Sequence, residues 1–215
     1  MPMNRIFLSS VFFCVVCAVF FPSCTKPGDN TVRQAIQAYR AGQYDAAITF
    51  FTQALEEETN YSDELLYTFI SNVYVNQGEY EKAIEAQEKS LALHADYRGY
   101  VTLGMLYHLT KDDGNAVSAY QKAIDMTPEK GEAYASLGAL YLGQNDTGRA
   151  LSYLEKAASL EPKLAVIQAN LAVAYAMTGD TEKSESALEK ARGLKCENIE
   201  QFEERIEGIM ANTGR

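Results

Sequence analysis

The chain has 215 residues, a net charge of −10, and 14 tyrosines but no tryptophan. A surface of this sign repels phosphate backbones, which excludes nucleic acid as a partner. The two histidines, His94 and His108, have no further histidine or cysteine at ligand spacing, so the sequence predicts neither a metal site nor a bound cofactor.

The first 23 residues are predicted to be an export signal. Arg5 is followed by an apolar run from Ile6 to Phe21, the arrangement of a positive n-region and an apolar h-region. The run is shorter than the roughly 20 residues that a membrane-spanning helix needs. The signal has three interpretations: a lipoprotein signal, an ordinary signal peptide, or an uncleaved anchor.

The stretch "FPSC", residues 21–24, resembles a bacterial lipobox of the looser, spirochaete-like form. The resemblance implies that residues 1–23 are removed as a lipoprotein signal peptide and that Cys24 carries a covalent lipid such as palmitate. Residues 24–30 are then a lipidated N-terminus and short tether. We expect such a protein in a bacterial cell envelope, anchored to a membrane through its lipid and facing the periplasm or the cell surface.

Cysteine positions agree with this interpretation. Beyond Cys24 the chain holds only Cys196, so the mature protein has no pair for an intramolecular disulfide. A link between two chains through Cys196 is left open, and with it self-association.

From residue 28 onward the chain is periodic. Residues 99–128 and 132–162 align at a spacing of 34 residues, and each unit carries a polar turn at the same place. In these two units Tyr100, Leu103, Gly104 and Tyr107 recur as Tyr134, Leu137, Gly138 and Tyr141. The pattern resembles the tetratricopeptide repeat, a helical hairpin of this length.

The resemblance implies an all-α fold, an α-α superhelix (solenoid) of about five helical hairpins. The repeats are placed at 28–63, 64–96, 97–130, 131–164 and 165–198. Three positions in each unit hold only Ala, Gly or Ser, as Gly138, Ala150 and Ala157 do in the fourth. Small side chains at these places let paired helices approach closely.

The last segment, residues 198–215, is predicted to be a capping helix and tail. Ile199, Phe202, Ile206, Ile209 and Met210 lie on one stripe at helical spacing. We expect this helix to cover the apolar edge of the fifth repeat.

Proteins with such repeats present the first helix of each hairpin to a concave groove. By that resemblance the candidate residues for partner binding are Tyr39, Phe69, Asn72, Asn76, Met105, His108 and Asn170. The set is apolar with a few amides, which favours a protein or peptide partner, and the amides could hold an extended peptide by its backbone. Ala139, Leu142 and Val173 either line the groove or pack beneath a neighbouring helix.

No residues in the sequence form a nucleophile, base or metal constellation, so we predict that the protein is not an enzyme. The leading hypothesis is a membrane-tethered lipoprotein scaffold that binds a protein or peptide partner in its groove. The alternative is an accessory subunit of an envelope transport or solute-uptake system that helps to bind a small ligand.

Overall fold

The computed structural model describes residues 25–212, so the predicted signal and Cys24 lie outside the described residues. In this range the chain forms eleven α-helices and no strand. None of these helices is both long enough and apolar enough to cross a membrane. The helices are α1 Pro27–Arg40, α2 Tyr44–Ala54, α3 Asp63–Gln77, α4 Tyr80–Leu93, α5 Tyr97–Leu109, α6 Asp113–Met126, α7 Gly131–Gly143, α8 Thr147–Leu160, α9 Ala165–Thr178, α10 Thr181–Gly193 and α11 Ile199–Asn212.

The first ten helices form five hairpins that stack on one another. Each odd-numbered helix packs along the even-numbered helix that follows it, and each hairpin then contacts the next one in the chain. The predicted all-α solenoid is confirmed. Because every hairpin buries its apolar face against its neighbours, stability comes from stacking and not from any single repeat.

Small residues lie where paired helices meet. Ala150 is fully buried, and a Cβ atom added to Gly138 would come within 2.5 Å of Leu154 Cγ. Where serine takes a small-residue position, its hydroxyl bonds across the pair: Ser71 Oγ donates to the Ala83 carbonyl (2.9 Å), and Ser184 Oγ donates to that of Ala172 (2.8 Å). These contacts explain why larger side chains are absent from those positions.

Each hairpin turns through one residue in the left-handed region. These residues are Gly42, Gly78, Lys111, Asn145 and Gly179, with φ between 60° and 77°. In the last three hairpins an aspartate then caps the second helix, since the side chains of Asp112, Asp146 and Asp180 accept from the backbone N–H three residues on. A polar turn followed by a capped helix start is what the repeated sequence encodes.

The start of the first repeat is fixed by a buried carboxylate. Asp29 Oδ1 accepts from Asn60 N (2.7 Å) and Thr59 Oγ1 (2.9 Å), and its Oδ2 accepts from Lys26 N (3.0 Å) and Asn60 Nδ2 (2.7 Å). These bonds, led by that of the Asn60 backbone, lower the pKa of Asp29 from 3.8 to about 2. Since α1 already begins at Pro27, the expected tether of residues 24–30 is too long. Residues 27–30 belong to the first hairpin.

Helix α11 does not extend the stack in the way the other hairpins do. It packs mainly against α9 and only slightly against α10, whereas α3, α5 and α9 each pack on the second helix of the preceding hairpin. The predicted capping helix is present, but it lies toward the first-helix side of the solenoid. The contacts of α11 at the concave face, described below, explain this position.

Candidate functional site

The concave face is built from α1, α3, α5, α7 and α9, the first helices of the five hairpins. One position of the repeat lies on this face in every hairpin. It is occupied in turn by Ile36, Asn72, Met105, Ala139 and Val173. The first four are partly or fully exposed, and Met105 is 42% exposed, whereas Val173 is 0% exposed. At this position the concave face is exposed in repeats one to four and covered in repeat five.

An apolar cavity of about 360 Å³ lies in the open part, between repeats one and two. Phe69 forms one wall and stacks on Phe51 of α2, with ring centroids 5.3 Å apart. Phe69 is thus a part of the core as well as a surface of the groove. The cavity is lined by Ile36, Tyr39, Arg40, Phe51, Phe69, Asn72 and Val73.

The rim of this cavity carries two asparagines with different roles. Asn76 Nδ2 donates to Tyr39 Oη (2.8 Å) and to the Asn72 carbonyl (2.8 Å), which uses both N–H groups of that amide. The Asn72 side chain is exposed and lines the cavity. Of the two, Asn72 has the accessible side-chain amide, and Asn76 braces α1 against α3.

The third repeat adds an apolar strip next to the cavity. Met105 is exposed, and so is Leu109 one turn further along α5. His108 Nδ1 lies 2.9 Å from Asp113 Oδ1, while Gln144 Nε2 donates to Asp113 Oδ2 (2.9 Å). The bonds from Gln144 and His108 lower the pKa of Asp113. His108 is therefore hydrogen-bonded at the start of α6 although its side chain stays exposed, and Met105 and Leu109 supply the apolar part of the accessible surface.

At repeats four and five, helix α11 occupies the groove. Val173 and the 1%-exposed Leu142 join one apolar cluster with Ile206, and Phe202 and Ile209 pack against it. Arg205 Nη2 donates to the Leu142 carbonyl at the end of α7 (3.3 Å). Of the two interpretations of Leu142 and Val173, packing beneath neighbouring elements is correct, since both are buried in the cluster that includes Ile206 of α11.

Two of the remaining groove positions differ from each other. Ala139 is exposed, as a groove residue should be, but Asn170 is only 8% exposed. Both border a shallow cavity of about 270 Å³ between α7 and α9. Asn170, a candidate for partner binding, therefore has little accessible surface, because the α9 face is mostly covered.

Sequence reasoning placed Arg40 in the groove but missed Arg33 and Arg98, and so it missed the net charge of the open part. Arg33, Arg40 and Arg98 are exposed, and all three fall on the same groove-facing frame that selected Tyr39 and Met105. The repeat frame alone could have found them. Asp29 also falls on this frame, but its oxygens are taken up by the bonds described above. At repeats one to three these arginines outnumber the ionised Asp29, while the exposed Glu132 falls on the same frame in repeat four, so the basic character is local to repeats one to three.

The described residues hold little reactive chemistry. No group of three or more His, Cys, Asp or Glu among residues 25–212 could hold a metal ion. Burial raises the pKa of the Cys196 thiol, which disfavours the nucleophilic thiolate.

Models of the tetratricopeptide repeat match residues 32–98, 97–130 and 141–195 of the chain. Among curated proteins, the chain is similar to BBSome complex member BBS4. The Bos taurus protein is 26% identical over 117 residues, 54% of this chain and 22% of that protein. The Mus musculus protein is 29% identical over 116 residues, 54% of this chain and 21% of that protein. The chain spans about a fifth of the length of these relatives.

Several solved structures share the fold. MamA from Desulfovibrio magneticus RS-1 superposes with a TM-score of 0.67 at 18% identity, covering 80% of this chain and 96% of that one. TTC0263, a thermophilic TPR protein of Thermus thermophilus, gives 0.60 at 22% identity and covers 86% and 99%. YrrB, described as a TPR protein with an unusual peptide-binding site, gives 0.60 at 23% identity and covers 79% and 87%.

Proposed function

We propose that this chain, which belongs to the tetratricopeptide repeat family, is a non-enzymatic scaffold whose concave groove binds a segment of a protein partner. The observation that carries the proposal is the exposed apolar strip of the groove, formed by the cavity of repeats one and two together with Met105 and Leu109. Exposed apolar surface rimmed by polar groups marks protein interaction sites. That YrrB is described as having a peptide-binding site supports the proposal by analogy.

The form of the cavity favours a polypeptide over a small solute. Its walls are mainly apolar, and it continues into the exposed face of α3 at Asn72. A solute-binding accessory subunit needs an enclosed pocket with several converging polar groups. No observation on the groove favours that alternative.

The experiment compares two methionines of nearly equal exposure. Met105 lies in the groove and is 42% exposed, while Met126, at the end of α6, lies outside it and is 46% exposed. Met105→Glu places a charge against the bound partner, so capture of partner proteins by the immobilised chain should fall at least tenfold. Met126→Glu should leave capture unchanged, with circular dichroism verifying that both variants fold. Equal capture by the two variants would refute groove binding.

We further propose that the scaffold is a lipoprotein of a bacterial envelope, held to a membrane through lipid on Cys24 and facing the periplasm or cell surface. The apolar run and the lipobox resemblance support this. Only Thr25 and Lys26 separate Cys24 from α1, a span of about 7 Å when extended. The groove would then lie close to the bilayer. Metabolic labelling with palmitate should label the wild-type protein and not the Cys24→Ser variant. Label retained in the variant would refute the lipoprotein assignment.

A further inference from the structure

We propose that the partner segment is an acidic amphipathic α-helix that lies across the first helices of repeats one to three. This inference rests on the proposed function, since it names the chemistry of the groove's occupant. Its starting point is α11, which shows how the same concave face holds a helix at repeats four and five. The open part of the groove continues directly from that seat.

Helix α11 displays the chemistry that the concave face accepts. Its apolar side is the stripe that contains Phe202, Ile206 and Ile209, which packs into the same apolar cluster as Val173 and Leu142 and lies mainly against α9. Its outer side is acidic, with Glu200, Glu204 and Glu207 exposed. A short apolar stripe on an acidic helix is therefore sufficient to occupy this surface.

The charge of the open groove matches a helix of this kind. Arg33, Arg40 and Arg98 are exposed there, and within residues 25–212 no carboxylate lies within salt-bridge distance of Arg40 or Arg98. The chain as a whole carries −10, so a basic groove is a local feature. Complementary charge of this sort raises association rates and selects partners.

The hydrogen-bonding groups of the groove favour a helix over an extended peptide. A strand bound by its backbone needs a row of donors and acceptors along the groove, but Asn72 alone of the two α3 asparagines has an accessible amide, since both N–H groups of Asn76 are used within the chain. His108 is likewise engaged, with Asp113. A helix satisfies its own backbone, so apolar side chains and a few charges are enough to bind it.

The dimensions also agree. A helix of 14 residues, the length of α11, is about 21 Å long. Two gaps between three neighbouring first helices add up to roughly 16–20 Å at usual helix spacings. A helix of that length can place one large apolar side chain in the 360 Å³ cavity while it reaches Met105.

The test uses a labelled peptide of residues 198–212, the chain's own acidic amphipathic segment, added in trans to the intact chain. Fluorescence anisotropy should show saturable binding, and a scrambled peptide of the same composition should bind at least tenfold more weakly. Replacing the peptide's glutamates by lysine should weaken binding by a similar factor. In the chain, Arg40→Glu should weaken binding at least tenfold, whereas the same charge change outside the groove, Lys163→Glu, should have no effect.

Any of the following results would overturn the inference. No saturable binding, equal binding of the scrambled peptide, or indifference to Arg40→Glu would each exclude an acidic helix at repeats one to three. A concentration-dependent dimer that Arg40→Glu abolishes would identify a second copy as the occupant and would also overturn it. The proposed function fails separately, through equal partner capture by Met105→Glu and Met126→Glu.

Discussion

The sharpest test of the helix-pair packing is to add one methyl group to Gly138. A Cβ atom there would lie 2.5 Å from Leu154 Cγ and 2.8 Å from Leu154 Cδ2, although carbon atoms prefer separations of about 3.5–4.0 Å. Leu154 is itself fully buried, so it has no free space into which to move. Overpacking of this kind costs about 1–3 kcal/mol.

Gly143 offers a matched control on the same helix. A Cβ atom there meets nothing within 4 Å. Both substitutions to alanine gain helix propensity, up to about 1 kcal/mol in a helix interior, and the gain is smaller at Gly143 because it is the last residue of α7, so the difference between the two variants is a lower bound on the cost of the clash. Gly143→Ala should raise the free energy of unfolding slightly, and Gly138→Ala should fall about 1–3 kcal/mol below it.

Urea titrations followed by circular dichroism can measure this difference. With a slope of about 2 kcal/mol per molar urea, a gap of 2 kcal/mol corresponds to about 1 M between the two midpoints. If both variants are equally stable, then α7 and α8 do not approach closely at Gly138. The account of the small-residue positions would then be wrong.

Two further predictions use the same titrations. Ala150→Leu adds bulk to a fully buried site in the α7–α8 contact and should lower the free energy of unfolding by on the order of 1–3 kcal/mol. The control Ala92→Leu, on an exposed position of α4, should leave it unchanged. Equal effects of the two substitutions would argue against the contact. Because the pKa of Asp29 is lowered to about 2 in the fold, its carboxylate stabilises the protein above pH ~4 and this contribution disappears as the pH falls through 2. Asp29→Ala should therefore be less stable than wild type at pH 7, and the gap should close near pH 2. A gap that is the same at both pH values would contradict the hydrogen-bonded carboxylate.

Much of the fold follows from local sequence. The 34-residue period, the polar turns and the Ala, Gly and Ser positions predict paired helices, because turn chemistry and small side chains act within one hairpin. The same frame also places Tyr39, Asn72 and Met105 on the concave face. These features repeat five times, and each copy supports the others.

How much of the groove is exposed depends on contacts between segments that are far apart in the sequence. An amphipathic stripe such as that of α11 specifies that the helix is covered, but several apolar surfaces can cover it, and the sequence alone favoured the edge of the fifth repeat. Only tertiary packing places α11 mainly against α9, in the apolar cluster that also holds Leu142 and Val173. Likewise, the bond between Asn76 and Tyr39 joins residues 37 positions apart, and no local pattern encodes it. The sequence by itself therefore determines the helical hairpins and which face of the solenoid is concave. The tertiary structure decides which part of the concave face stays exposed, because α11 packs on whichever of several apolar surfaces gives it the lowest free energy.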